Sequence, residues 1–237
     1  MTTINDDFYS ILKETWDFIE DSYKKEEINS ERYLQALLFS TLKIKMPSLK
    51  INVEPKVIGP QSQFDGNIKH LERLRPDLVI VDENKNEKSI KAFIEIKYVP
   101  HWWLEQDALE KDLRKLIQYS KACDIGLDSF GPNRIFTNKE WYRQVSGKWI
   151  INRDRYVIDE ETWYCFAVIT RYNKFKEDFK NFYENNPEIK DLNRFCLMLG
   201  AIEINDRPNE FHSVQYFDTI AQPVNEKLLP FNEFPRK

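Results

Sequence analysis

Asp77, Glu95 and Lys97 are residues whose types and spacing could do chemistry together. They belong to one stretch, RPDLVIVDENKNEKSIKAFIEIK at 75–97, that reads as two apolar strands around a charged turn. Side chains two apart on a strand share a face. Glu95 and Lys97 therefore point the same way as Phe93, and Asp77 shares a face with Val79 and Val81. A hairpin centred on Asn86 sets Asp77 opposite Glu95; one centred on Lys85 sets it opposite Phe93 and diagonal to Glu95. Either odd-length loop gathers the three polar groups on one face, whereas an even loop sends Asp77 to the other. Opposed carboxylates, with Cβ atoms roughly 5 Å apart, repel each other. Burial raises the pKa of one of them unless positive charge lies between. Lys97 supplies one such charge, and a hard divalent cation, which takes oxygen ligands, would supply the rest.

The surrounding elements must hold this hairpin in place. Phe8, Leu12, Trp16, Ile19 and Tyr23 recur at steps of three and four, predicting an amphipathic helix over 5–24 with an acidic outer face. A second helix begins at the capping residues Asn29 or Ser30 and turns Leu34, Leu37, Leu38 and Leu42 inward. Residues 51–58 form a short strand that Pro55 bends or confines to an edge. After the hairpin, 104–124 carries Leu109, Leu113, Leu116 and Ile117 on one side of a helix. Residues 125–161 read as irregular, with a hairpin turning on Asn152, Arg153 and Asp154. The apolar run 162–170 suits a central strand buried on both faces. Residues 174–185 read as a helix, 194–204 as a strand, and the proline-containing tail after Arg207 as extended and packed on the surface. The order is that of a mixed α/β domain.

Pro76-Asp77 on one strand and Glu95-Ile96-Lys97 on the next resemble the signature of the PD-(D/E)XK nuclease superfamily, the restriction-endonuclease-like fold. Glu-x-Lys also occurs at Glu54, Glu83 and Glu188, but only Glu95 lies inside an apolar strand beside the chain's single Pro-Asp. The resemblance covers about 29–170 and implies an αβββαβ core: a mixed central sheet flanked by helices, within one nuclease-like domain. Residues 1–28 would add an N-terminal helix and 171–237 a C-terminal extension. It implies Mg²⁺, with Mn²⁺ able to substitute, held by Asp77, Glu95 and the Ile96 carbonyl. Lys97 would orient the attacking water or stabilise charge in the transition state. The family often adds a glutamate on the first core helix; Glu31, on the face of Leu34 and Leu38, is the candidate, although an acid in a first turn also suits the helix dipole. Some families place Lys or Gln on the helix after the hairpin, where Lys115 and Gln118 stand; a solvated helix surface is the alternative for both. The implied activity is metal-dependent phosphodiester hydrolysis, with DNA as the expected partner, by a possible homodimer or part of a larger nuclease system. A catalytically inactive nucleic-acid-binding or assembly module on the same fold is the rival reading.

Composition limits the other classes. The chain has 237 residues, 41% hydrophobic and 14% aromatic, enough for a real core. No apolar run reaches the ~20 residues of a membrane helix, and the first ten residues, MTTINDDFYS, do not read as a secretory signal. The three cysteines and three histidines are scattered, which fits reduced thiols in the cytoplasm and argues against a Cys or His metal cluster. Net charge is -4, yet basic residues gather at 43–75 and 134–155. In the second region Arg143, Lys148 and Arg153 alternate with aromatics, a pattern that suits phosphates and stacked bases, or else an amphipathic hairpin packed on the core. His101, just past the hairpin, could bind a phosphate. The chain carries no Walker-type loop and no Gly-x-Ser-x-Gly elbow.

Overall fold

The apolar stripes of the first forty-five residues become two packed helices, α1 (Ile4–Lys24) and α2 (Glu31–Lys45), in a computed structural model. It describes residues 4–25, 27–58, 75–84, 88–99, 106–128, 142–145, 148–151, 155–170, 175–192, 194–201 and 215–218. Phe8, Leu12, Trp16, Ile19 and Tyr23 are all buried, as their spacing predicts. On α2, Leu34, Leu38 and Leu42 are fully buried, while Leu37 packs at the margin. Ser30 opens α2: its hydroxyl oxygen accepts from the Tyr33 amide at 3.2 Å, satisfying one of the first-turn donors that a helix leaves without a partner.

The strands are β1 (Lys50–Val53), β2 (Lys56–Ile58), β3 (Leu78–Asp82) and β4 (Ser89–Val99), followed after α3 (Gln106–Ser120) by β5 (Asp124–Asp128). Then come β6 (Tyr142–Val145), β7 (Lys148–Ile151), β8 (Arg155–Val157) and β9 (Trp163–Thr170). Helices α4 (Phe175–Asn185) and α5 (Pro187–Lys190) precede β10 (Arg194–Ala201) and β11 (Gln215–Asp218). Among the described residues nine strands form one mixed sheet. β1 pairs antiparallel with β3 and β3 with β4; β4 runs parallel to β9, and β9 to β10. Every residue of β9 is buried, as expected of a strand inside the sheet.

Alternation along the strands sorts the core into two layers. Leu78, Ile80, Ala92, Ile94, Ile96 and Cys165 pack with α1 and α2. Val79, Val81, Phe93, Tyr164 and Phe166 pack on the opposite face with Leu113, Leu116 and Ile117 of α3 and Phe179 of α4. Helices thus flank both faces of a mixed sheet. Among the described residues no helix is long and apolar enough to cross a membrane.

Four expectations change. The stretch 125–161, expected to be irregular, carries most of β5 and all of β6, β7 and β8. Among the described residues β7 pairs with β6 rather than β8, and β8 joins the main sheet beside β5 and the start of β4; Asn152 to Asp154, where the turn was expected, lie outside the described residues. Tyr156 gives the reason, since in the main sheet its ring is buried in the α3-side core. Part of the tail is a strand, β11, antiparallel to β10. The strand expected at 51–58 is divided at Glu54 and Pro55, so that β1 pairs with β3 while β2 pairs with β5.

At that break Glu54 has φ 44, the left-handed region that a residue with a Cβ enters at a cost. Its amide donates to the Asp77 carbonyl at 3.0 Å, a bond that this conformation aims. Glu54→Gly, which relieves the steric conflict and leaves the amide in place, is expected to stabilise the protein by about 0.5–1 kcal/mol. A urea midpoint at or below that of the unmodified chain would show that the backbone here is not strained.

Candidate active site

The hairpin's register decides whether the acids meet. Leu78 pairs with Ile94 and Val79 with Phe93, so Asp77, one residue before β3, continues opposite Glu95. This is the alignment expected for a hairpin centred on Asn86. At the tip the pairing differs: Asp82 faces Ser89 and Val81 faces Ile90, which closes an even loop. One extra residue on β4, Lys91, lies in a bulge between the two registers and restores the alignment. An even loop is therefore compatible with the site.

β4 outruns β3. Beyond Ile94 its β3-side edge has no strand partner among the described residues, and two carboxylates take that place. Asp77 Oδ2 accepts from the Ile96 amide at 2.6 Å, and Glu31 Oε2 accepts from the Tyr98 amide at 3.2 Å. Glu31 is exposed, on the first turn of α2, and reaches the end of the sheet rather than its face. The Asp77 carbonyl is held in turn by the Glu54 amide and, at 3.2 Å, by the Gln35 side chain from α2.

Glu95 turns to the other layer, toward α3, and is fully buried. Its Oε2 lies 2.7 Å from Lys115 Nζ, and its Oε1 accepts from the Tyr119 hydroxyl at 3.3 Å. The Tyr119 ring stacks on Phe93, centroids 4.6 Å apart, which fixes where that hydroxyl points. Lys115 also contacts Asp112 Oδ1 at 2.8 Å, and Asp112 Oδ2 lies 3.3 Å from Lys97 Nζ. Positions 112, 115 and 119 are three and four apart on α3, so one helix face delivers all three to the sheet. Asp112 thus links both lysines, and Lys115 links Asp112 to Glu95.

Negative charge exceeds positive here: Glu31, Asp77, Glu95 and Asp112 stand against Lys97 and Lys115. Burial pushes the Asp77 carboxyl up to about 6; Asp112 and Glu31 add to the rise, and the Ile96 amide and Lys115 oppose it. Burial likewise raises Glu95 well above the usual carboxylate range, with Asp77 and Asp112 contributing and Lys115 only partly compensating. Burial works against the Lys115 ammonium, but Glu95 and Asp112 outweigh it and raise its pKa. Tyr119 is raised by burial and then by Glu95, so its hydroxyl is a donor and not a phenolate.

Of the residues singled out from the sequence, Asp77, Glu95, Lys97, Glu31 and Lys115 gather at this end of β4. Lys115 is an ion-pair partner of Glu95, not a solvated surface residue. Gln118 is half-buried, its carbonyl oxygen enclosed without a hydrogen-bond partner among the described residues, and belongs to none of these pairs. Arg143 and Lys148 lie on the small β6–β7 ribbon, their side chains outside the described residues; His101 and Arg153 lie wholly outside them. Asp112, Tyr119, Gln35 and Glu54 did not emerge from the sequence as site residues. The i, i+3, i+7 spacing around Lys115 is the signal that could have found the first two.

The donor set fits a hard divalent cation in kind: carboxylates crowded at one strand end, with Asp77 and Glu95 both raised in pKa by burial and by neighbouring acids. Among the described residues, however, no three His, Cys, Asp or Glu side chains are drawn into a ready-made metal cluster. No family model, curated protein or solved structure matches this chain.

Proposed function

We propose that this chain is a metal-dependent nuclease of the PD-(D/E)XK type that hydrolyses phosphodiester bonds in DNA. The observation that carries this reading is the meeting of Asp77 with the Ile96 amide, between Glu95 and Lys97. Asp77 comes from a bend and Glu95 from mid-strand, and a β-bulge offsets an even hairpin loop to align them. A solvated strand face would not bury Glu95 completely. The order α2, β1, β3, β4, α3, β9 also supports the αβββαβ core that the resemblance implies, with β2 and β5–β8 as additions.

In this reading Asp77, Glu95 and the Ile96 carbonyl would hold Mg²⁺, with Glu31 as a further ligand. Bound there, Mg²⁺ would supply an activated water and neutralise charge on the phosphate. The chain's own residues do the rest. Lys97, half-buried and steadied by Asp112, presents its ammonium beside the acids, where it can orient a water or offset charge on the reacting phosphate. Tyr119 donates to the Glu95 carboxylate from the helix side, and without metal Lys115 pairs with the same carboxylate. The Ile96 amide and the anchored Asp77 carbonyl keep Asp77 at the strand end.

The test is cleavage of labelled single- and double-stranded DNA and RNA in Mg²⁺, Mn²⁺ or EDTA. Lys97→Met is expected to lower the rate on the order of 10²–10³-fold, while its melting temperature stays close to that of the unmodified chain. Cutting that persists in EDTA, or that is indifferent to Lys97, would defeat the proposal. One observation favours a second reading: Glu95 is already satisfied by Lys115 and Tyr119, as in a non-catalytic nucleic-acid-binding or assembly module. Nucleic-acid binding without cleavage or metal binding would select that reading.

A further inference from the structure

We infer that Lys115 is a built-in counter-ion that occupies the position of a cation between Glu95 and Asp112, and that a divalent ion enters this site only by displacing it. The inference rests on the metal-dependent reading above and adds to it a control on metal loading. The Lys115 ammonium lies 2.7 Å from Glu95 Oε2 and 2.8 Å from Asp112 Oδ1, contact distances to carboxylates from two different elements. One of those acids is fully buried, and only 18% of the Lys115 side chain is exposed. Neither oxygen can serve a divalent ion at short range while the ammonium fills the space between them.

Lysine suits such a part. Its ammonium is a compact charge on a flexible four-carbon stem, so it can leave Glu95 while its own helix stays in place. Asp112, three residues earlier on α3, still holds it after Glu95 is released. Loading would then swing a second ammonium, besides Lys97, out toward the region where an anionic substrate must lie. Metal-free, Lys115 would offset part of the site's negative charge; loaded, the site would gain a cation and release Lys115 from Glu95 in one step.

The test measures metal binding on the full chain without substrate. Mn²⁺ is titrated into the unmodified protein, Lys115→Met and Lys115→Gln, with free Mn²⁺ followed by electron paramagnetic resonance and melting temperature recorded on the same samples. With the competing ammonium gone, Mn²⁺ is expected to bind at least about tenfold more tightly to both variants and to protect them more strongly against heat. The added affinity should vanish in Lys115→Met combined with Glu95→Gln. The second single variant serves if the first does not fold. Equal or weaker Mn²⁺ binding in the variants, with the unmodified protein still binding, would overturn the counter-ion role and leave the nuclease reading standing. No Mn²⁺ binding to any of the proteins would overturn both.

Discussion

Asp77→Asn will melt at a higher temperature than the unmodified protein at pH 8 while losing the proposed cleavage. Burial, with Asp112 and Glu31 adding to it, lifts the Asp77 carboxyl from 3.8 to about 6. The unfolded chain releases this proton near pH 4 and the folded chain near pH 6. Within that window the folded state holds more protons, so its stability falls as pH rises from about 4 to 6 and then levels off. Asparagine has no proton to lose and escapes the penalty, yet its side-chain oxygen can still accept from the Ile96 amide. The expected gain at pH 8 is about 2–3 kcal/mol, or roughly 4–10 °C for a chain of this size. Near pH 4 the advantage should vanish. The proposed metal-dependent cleavage should fall on the order of 10³-fold or more, because a carboxylate assigned to the metal and its charge are removed together. Melting curves at pH 4, 6 and 8 decide the matter; an asparagine variant no more stable than the parent at any of the three would mean that Asp77 is not a strained acid.

The second large effect separates two substitutions at one position. Glu95→Ala removes a buried carboxylate from beneath Lys115 and Tyr119. The ammonium keeps only Asp112, the Tyr119 hydroxyl loses its acceptor, and a void opens beside Phe93. Breaking a buried pair from one side costs about 3–5 kcal/mol, a drop of about 10 °C here. Glu95→Gln fills the same volume, keeps one oxygen for Lys115 and turns its amide nitrogen toward the Tyr119 oxygen, which can accept, so it should melt closer to the parent than alanine does while removing the carboxylate assigned to the proposed metal. Denaturant unfolding of the two variants is the measurement. If alanine and glutamine behave alike, the network around Glu95 is not what holds this end of the sheet to α3.

These effects depend on features that were unevenly legible in the sequence. The stripe from Phe8 to Tyr23, the all-buried run 163–170 and the joint position of Glu95 and Lys97 followed from periodicity, because each concerns residues close together in the chain. The fate of 148–157 did not: which strand β7 and β8 each pair with is set by the core that Tyr156 enters, and that core is assembled from distant segments. The even loop offset by a bulge was equally hidden. Lys91 has no special backbone preference that would mark it as the extra residue, so parity had to be treated as open. Pro55 announced a break in the strand, but not the left-handed backbone of Glu54 beside it. The residues around Glu95 were half visible. Lys115 was identifiable by its place on the helix after the hairpin, whereas Asp112 and Tyr119 gain meaning only once α3 is laid across β4.

The overhang of β4 has a consequence apart from chemistry. A strand that runs past its neighbour leaves amides on which a strand of another chain can build, the usual first step toward edge-to-edge polymerisation. Here the Ile96 and Tyr98 amides are already bonded to Asp77 and Glu31. An incoming strand would have to evict two acids from donors they already hold and bring its own backbone up against their charge. The same carboxylates that crowd this strand end therefore also keep it from becoming a template, which gives residues of the proposed catalytic site a second role at the edge of the sheet.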